Sequence, residues 1–454
     1  MTSDTARVLF GTDGIRGVAG TAPLDATTVF AAGLALGHSL PRIAAEPRVI
    51  LGRDTRESSE WITATLAAGL RKAGAQVESA GVVPTPAVAF LARKHGYAAG
   101  VVISASHNPW RDNGIKLFGG DGYKLPDSVE LAMEDEILRH ASLAVPPSPS
   151  ALQAIEDNHA LQLDYIQFLI DCVPSLKLDG LHIVVDCANG AAAAIAPDLF
   201  ARLGGQVDLL NVSPDGRNIN EGCGALHPDF VAARTAERGA NIGLTFDGDA
   251  DRCMLAGPRG TVVNGDAILL LAARDLKQRG LLTGDTVVAT TMSNMGLEAA
   301  LKRSGIRMLR SSVGDRYVLE MMQKHDAALG GEQSGHILFP HLATTGDGVL
   351  TALVVLDLLA RSGKSLDELT ADLKVFPQVI VNVKVREKKP LETIPAVSEK
   401  IRAAEEALRD SGRVVIRYSG TERLARVMIE AESEEAMKRH AEAIAEAIRE
   451  ELGV

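Results

Sequence analysis

Short apolar runs recur along the chain, each followed by a polar loop and then by an amphipathic stretch. Arg48–Gly52 has the pattern of a buried strand, with a helix expected from Ser58 to Ala73. Ala99–Ser104, Leu181–Asp186, Asn241–Phe246 and Thr286–Ala289 repeat the signal, each with a helical stretch downstream. Strands alternating with helices predict parallel sheets joined by crossover helices. The longest apolar run, Val349–Ala360, is broken by Thr351 and Asp357. It falls short of the ~20 residues that a membrane span requires.

Punctuation divides the chain into four units. Pro146, Pro147 and Pro149, between Ser142 and Ser150, make a poor helix or strand and a natural linker. A second boundary is expected after Arg252, where Gly257-Pro258-Arg259-Gly260 forms a turn, and a third, acting as a hinge, from Pro377 to Pro390. Beyond it the rhythm changes. Gly412–Arg417 and Arg426–Ile429 read as two hairpin strands, and the Glu/Ala-rich stretch Ser433–Leu452 as a terminal helix. The expected architecture is α/β over 1–150, 151–255 and 256–372, then α+β over 373–454. The first three units share a rhythm but no strict sequence repeat.

The length of 454 residues fits this division, at roughly 150 residues per domain. Aromatics are only 4 % of the chain, so Ala, Val, Ile and Leu must build the cores. Lys plus Arg number 47 against 58 Asp plus Glu, a net charge of −11. A dedicated nucleic-acid binder needs a basic face, so none is expected. A few convergent cations can still hold a small anionic substrate. None of Cys172, Cys187, Cys223 and Cys253 stands in a CxxC pair, which disfavours a zinc ribbon or a thioredoxin-type motif. Met1–Val8 carries Asp4 and no apolar signal core. The expectation is a cytoplasmic protein with reduced thiols and no membrane partner.

Four loops carry candidate chemistry. Ile103-Ser104-Ala105-Ser106-His107-Asn108-Pro109 follows an expected strand, where ligand loops of parallel sheets lie. A serine beside a histidine can act as a nucleophile; an Asn-Pro turn with backbone-bonded serines is the alternative. The motif is not a Gly-x-Ser-x-Gly elbow, which disfavours an α/β-hydrolase. Asn113-Gly114-Ile115-Lys116 adds a turn and a cation nearby. Asp247-Gly248-Asp249-Ala250-Asp251-Arg252 places three carboxylates at alternate positions. They repel one another unless a hard cation, Mg²⁺ or Ca²⁺, neutralises them. Arg252 and Pro258 occupy the places where an EF-hand needs its Gly and Glu. Gly330-Gly331-Glu332-Gln333-Ser334-Gly335-His336 can close on a ligand, with Glu332 and Ser334 facing vicinal hydroxyls, or be an ordinary Gly-rich turn. Arg417-Tyr418-Ser419-Gly420-Thr421-Glu422, with Arg426 after it, has the parts of a phosphate nest. Its alternative is a β-turn with an exposed Arg. Phe10-Gly11-Thr12-Asp13-Gly14-Ile15-Arg16-Gly17 is a weaker Gly-rich loop, and in Gly52-Arg53-Asp54-Thr55-Arg56 a structural ion pair around Asp54 is expected.

Taken in order, these motifs resemble those of the α-D-phosphohexomutase superfamily, from Phe10 to about Glu430. The opening octapeptide and Gln333 are most similar to its bacterial branch acting on glucosamine phosphates. The resemblance implies three α/β domains and a TBP-like C-terminal domain around a central cleft, and possession of an isomerase's intramolecular phosphotransferase activity. That activity interconverts glucosamine 6-phosphate and glucosamine 1-phosphate through a 1,6-bisphosphate, toward UDP-N-acetylglucosamine and the cell wall. It implies Ser106 as phosphoserine, and Asp247, Asp249 and Asp251, with Ser106, as ligands of one Mg²⁺. Glu332 and Ser334 match sugar-hydroxyl contacts. Arg417, Ser419, Gly420 and Thr421, with Arg426 nearby, match a distal phosphate site. Arg16, Lys116, Arg252 and His336 match residues beside the reacting phosphoryl group. Lys116 is the expected general base if nearby cations lower its pKa, with His107 second. A homodimer is also implied. Two departures stand out: Val313-Gly314-Asp315-Arg316 replaces a Thr-Gly-His-Ser loop of some members, and Arg423 replaces a usual Pro. The remaining alternatives are a glucose- or mannose-phosphate mutase, a haloacid-dehalogenase-type phosphatase with Asp247 as nucleophile, and a non-catalytic sugar-phosphate sensor.

Overall fold

The computed structural model describes residues 8–11, 13–40, 47–142, 145–418 and 423–453. The first sheet has strands β1 (Phe10–Gly11), β2 (Gly14–Val18), β3 (Arg48–Arg53), β4 (Gln76–Val82), β5 (Ala99–Ile103) and β6 (Asp112–Gly119). Their spatial order is β1-β2-β6-β5-β3-β4. β3 runs parallel to both β4 and β5, and β6 returns antiparallel along β5. Central strands of a parallel sheet are covered on both faces, which is why they read as unbroken apolar runs. Val49 and Leu51 point to one face and join a buried cluster with Ile62, Leu66 and Leu70 of helix Glu57–Lys72. Gly52 and Gly100 on the other face lie against Val88 of helix Thr85–Lys94.

The second sheet comprises β7 (His182–Asp186), β8 (Gln206–Leu210), β9 (Ile242–Phe246), β10 (Cys253–Ala256) and β11 (Val262–Val263), in the order β11-β10-β9-β7-β8. The boundary expected after Arg252, with a unit ending at 255, falls inside this sheet. β10 pairs antiparallel with β9 and with β11, so the Gly257–Gly260 turn joins two strands of one sheet. The third sheet has β12 (Thr286–Thr290), β13 (Arg307–Ser311), β14 (Leu329–Gly331) and β15 (Ile337–Leu338), in the order β13-β12-β14-β15.

A common device links the three α/β sheets. In each, a buried central strand with a parallel neighbour ends in a loop, and the next strand returns antiparallel beside it. Ile103 pairs with Ile115 around the serine loop, Phe246 with Cys253 around the acidic loop, and Gly331 with Ile337 around the Glu332 loop. The shared rhythm of the first three units is therefore a structural repeat that delivers one motif per sheet.

The fourth sheet is antiparallel throughout: β16 (Gln378–Lys384), β17 (Gly412–Tyr418) and β18 (Leu424–Ala431), in the order β16-β18-β17. Val383, Val427 and Ile429 pack with Val397 of helix Pro395–Leu408 and with Ile444 and Ile448 of helix Glu434–Leu452. The hinge expected from Pro377 to Pro390 contains β16. Val379, Val381 and Val383 alternate with other residues at the period of a strand, and the two prolines flank that strand.

The chain groups into two compact units. One takes the residues through Thr291 together with Met308–Thr370, and holds the first three sheets apart from Arg307. The other combines Met292–Arg307 with Ala371–Val454. Within the latter, Asn294 donates to the Phe376 carbonyl (3.1 Å) and accepts from its N–H (2.9 Å). The apolar run at 349–360 forms helix Gly348–Ser362, with Leu350, Leu353 and Leu356 buried. Among the described residues no helix is long and apolar enough to cross a membrane.

Candidate active site

Ser106 sits in the loop after β5 with φ +53°, an uncommon backbone state for a non-glycine residue. The loop around it is over-determined. Its own N–H donates to Ser104 Oγ (2.9 Å). The Arg56 guanidinium donates to the carbonyls of Ser106 (3.0 Å) and Asn108 (2.6 Å), and Asn220 Nδ2 reaches the same two oxygens. Arg56 is fully buried and ion-paired with Asp54, the structural pair expected from sequence. Such bracing holds a strained residue in place. The Ser106 hydroxyl is buried, donates to Asp247 Oδ2 and lies 3.2 Å from His107 Nδ1.

The acidic loop is the turn of the β9–β10 hairpin, with Ala250 at φ +54°. One carboxylate oxygen from each of Asp247, Asp249 and Asp251 falls within 4.8 Å of the others, and all three residues are buried. Burial and the charges of Asp251 and Asp249 push the Asp247 pKa well up. Asp249 Oδ1 and Asp251 Oδ1 are buried without a hydrogen-bond partner among the described residues. Unpaired buried carboxylate oxygens are costly. All-oxygen donors that need positive charge suit a hard divalent cation.

Lys116, on β6, is buried against this loop. Its Nζ lies 2.7 Å from Asp249, 3.2 Å from Asp251 and 3.0 Å from Asp13. Burial alone would lower its pKa, but these three carboxylates outweigh burial and push it well above the usual value. The expected lowering by nearby cations is not found: the opposing charge of Arg16 is overcome. His107 has the opposite setting. Burial, then Arg252 and Arg16, push its pKa down to about 4, leaving a neutral ring at neutral pH.

The surface above the two loops is a cavity of about 550 Å³. Asp13, Asp251, Asp315 and Glu332 line it together with Arg16, Lys124, Arg252 and His336, and His107 joins the wall. Arg16 donates to Asp13 (2.5 Å), and Lys124 bridges Asp13 (2.5 Å) and Asp315 (2.6 Å). His336 lies 3.6 Å from both Asp251 and Asp315. Burial would lower its pKa, yet Asp251, Asp315 and Glu332 raise it to about 9. Glu332 is held by the Gly314 N–H (3.0 Å). Ser334 Oγ is buried without a partner among the described residues, and Gln333 Nε2 turns away to Asp266 (3.2 Å).

These two histidines give a direct check. In unphosphorylated, metal-free protein the His107 ring should titrate near pH 4 and the His336 ring near pH 9 by NMR. Both rings titrating at the ordinary value of about 6.5 would contradict the charge arrangement described.

Ser106, His107, Lys116, Arg16, Arg252, Glu332, Ser334, His336 and the three aspartates thus all lie in the first unit, on loops and strands of its three sheets. Arg417 and Arg426 belong to the second unit, opposite each other on β17 and β18. Ser419, Gly420 and Thr421 lie outside the described residues. Arg423, which replaces the family's usual Pro, donates to the Arg386 carbonyl (3.4 Å). Four participants escaped the sequence reading. Thr85 donates to Asp249 Oδ2 (2.5 Å). Asp13 and Lys124 extend the ion-pair chain, and Asp315 ends it. Asp13 and Asp315 were visible inside the quoted motifs, but neither Thr85 nor Lys124 had any local signal.

The chain matches the phosphoglucomutase/phosphomannomutase α/β/α domain I over residues 7–143, domain II over 163–260, domain III over 264–376 and the C-terminal domain over 380–447. It is 59 % identical to the phosphoglucosamine mutase of Koribacter versatilis (strain Ellin345), covering 99 % of this chain and 98 % of that protein. Identity to the phosphoglucosamine mutase of Solibacter usitatus (strain Ellin6076) is 51 %, covering 99 % and 100 %. Among solved structures, a phosphoglucomutase/phosphomannomutase family protein from Burkholderia thailandensis superposes with a TM-score of 0.77 at 26 % identity, covering 97 % of each chain.

Proposed function

Because the chain belongs to the phosphoglucomutase/phosphomannomutase family in all four of its domains, we propose that it interconverts glucosamine 6-phosphate and glucosamine 1-phosphate in the cytoplasm. The observation that carries the reading is the Ser106 hydroxyl held over the Asp247–Asp251 loop beside the charged cavity. The relatives with full-length similarity support glucosamine as the sugar.

In the proposed reaction a phosphoryl group on Ser106 passes to a substrate hydroxyl. The Oγ–P bond breaks, a new sugar O–P bond forms, and the hydroxyl proton must end on Ser106 Oγ. His107 is placed to hand that proton over, since its ring is neutral and Nδ1 lies 3.2 Å from that oxygen. Lys116 serves better as a fixed positive charge than as the base, since the carboxylates around it hold its proton. The bisphosphate then turns over, and its other phosphate returns to Ser106. Glu332 and Ser334 are assigned to the sugar hydroxyls. Arg417, Ser419, Gly420 and Thr421, with Arg426, are assigned to the phosphate distant from Ser106.

Transfer of this kind depends chiefly on positioning and charge neutralisation. Asp247, Asp249, Asp251 and Ser106 would hold Mg²⁺, which when bound offsets the phosphate charge and polarises the phosphoryl oxygens. Arg16, Arg252 and His336 add fixed positive charge at the cavity wall.

A coupled assay on Mg²⁺-loaded, Ser106-phosphorylated protein tests the reading. Glucosamine 6-phosphate should exceed glucose and mannose 6-phosphates in kcat/KM by at least about tenfold, or ~1.4 kcal/mol. Preference for glucose or mannose phosphate would keep the family and reject the sugar. Free phosphate without isomerisation would return the phosphatase reading, with Asp247 as nucleophile.

A further inference from the structure

A second group of metal-ligating side chains lies among residues that the proposed phosphoryl transfer does not use. His38 stands in the last turn of helix Ala26–Ser39, and Glu136 and His140 stand one turn apart on helix Asp127–Ala141. The two helices share a buried cluster that includes Leu36, Met133 and Ile137. His38 Nδ1 lies 2.7 Å from Glu136 Oε1, and His140 Nε2 lies 3.2 Å from the same oxygen. The rings are tilted 53° with centroids 5.6 Å apart, and one donor atom from each residue falls within 4.8 Å of the other two.

We propose that His38, Glu136 and His140 form a transition-metal site, of zinc type, that staples these two helices. Two imidazole nitrogens and one carboxylate oxygen are borderline donors, which select Zn²⁺ or its neighbours over Mg²⁺. Metal–ligand bonds of roughly 2.0–2.2 Å set tetrahedral donors about 3.3 Å apart. The His38–Glu136 separation has to open by about 0.6 Å and the His140–Glu136 separation by about 0.1 Å to reach that spacing, which these partly exposed side chains allow. Three protein ligands leave one position for water. The rest of the local structure favours a fixed cradle. Glu134, one residue pair earlier on the same helix, accepts the N–H groups of Val8, Leu9 and Phe10 and ties this helix to the first strand.

The acidic triad and the thiols are the competitors for an added ion. Of the cysteines, Cys187, Cys223 and Cys253 are buried and Cys172 is partly exposed. The test is calorimetric titration of Zn²⁺ into the full chain with saturating Mg²⁺ present, so that the acidic triad is occupied. One equivalent should bind with micromolar or tighter Kd. His38→Gln and His140→Gln should each weaken it at least tenfold, and Cys172→Ser should not. Zn²⁺ should raise the unfolding temperature of the unmodified chain and not that of His140→Gln, while His38→Gln leaves mutase turnover unchanged. Zinc that does not bind, that binds either histidine variant as tightly as the unmodified chain, or that is lost in Cys172→Ser overturns the site. None of these readouts depends on which sugar phosphate the enzyme turns over.

Discussion

Ser106→Ala is expected to lower mutase turnover by on the order of 10⁴-fold or more, the scale seen when a covalent nucleophile is removed. In the proposed cycle the phosphoryl group must wait on Ser106 Oγ, and no neighbouring atom offers a substitute. Asp247 Oδ2 and His107 Nδ1 are the nearest alternative nucleophiles, but in the proposed cycle the first is assigned to the metal and the second to proton transfer. The substitution is also a clean one. Alanine meets the same positive φ as serine. The bonds that brace the loop come from Arg56, Asn220 and Ser104 to backbone atoms, so they survive the change. Asp247 loses one donor and keeps the Arg252 N–H (3.1 Å) on its other oxygen. The variant should therefore fold, show an unchanged circular dichroism spectrum and take up no phosphoryl group by intact mass. Substantial isomerisation by folded Ser106→Ala would remove the phosphoserine from the mechanism.

The legibility of this protein follows the range of its interactions. Strands β3, β5, β7, β9 and β12 were readable because central parallel strands are buried on both faces and appear as apolar runs. β16 was missed because a half-exposed alternating strand between two prolines looks like a hinge. The boundary after Arg252 failed for a related reason. A hairpin turn and a linker share the same Gly-Pro vocabulary, and only pairing across the sheet separates them. At the site, the serine, acidic and Glu332 loops were legible as motifs, whereas the parts played by Asp13, Thr85, Lys124 and Asp315 were not. Nor was the charge state of Lys116. Its environment is set by Asp13 from the first motif and by Asp249 and Asp251 from a hairpin more than a hundred residues away. Gln333 shows the converse. It marks a branch of the family in sequence, yet its side chain is spent on Asp266.

Gly348→Ala is the second large effect, and it comes from a residue with no chemistry of its own. Gly348 opens the helix behind the acidic loop, and its N–H donates to the Ala250 carbonyl (3.0 Å). A methyl group there would meet the Arg252 carbonyl oxygen at 2.3 Å, its carbon at 2.6 Å and the Ala250 oxygen at 2.9 Å. All three are backbone atoms, so no side-chain rotation relieves the clash. The helix cannot retreat easily either. Asp347 caps it through the Leu350 N–H (2.9 Å) and is itself held by the Tyr165 hydroxyl (2.8 Å) in a fully buried pair. The loop must therefore move, and it carries all three aspartates of the acidic triad. Overpacking of this kind costs about 1–3 kcal/mol of stability, and a misplacement near 1 Å at a reacting centre costs about 10²-fold in rate. We expect kcat/KM to fall at least that far, with weaker Mg²⁺ binding. Gly363→Ala is the control. It ends the same helix at φ +66° with open space around it, so alanine there strains the backbone without touching the loop. It should lose about 1–2 kcal/mol of stability and keep its turnover. If Gly348→Ala matched that control in activity and Mg²⁺ affinity, the acidic loop would not depend on the helix packed behind it.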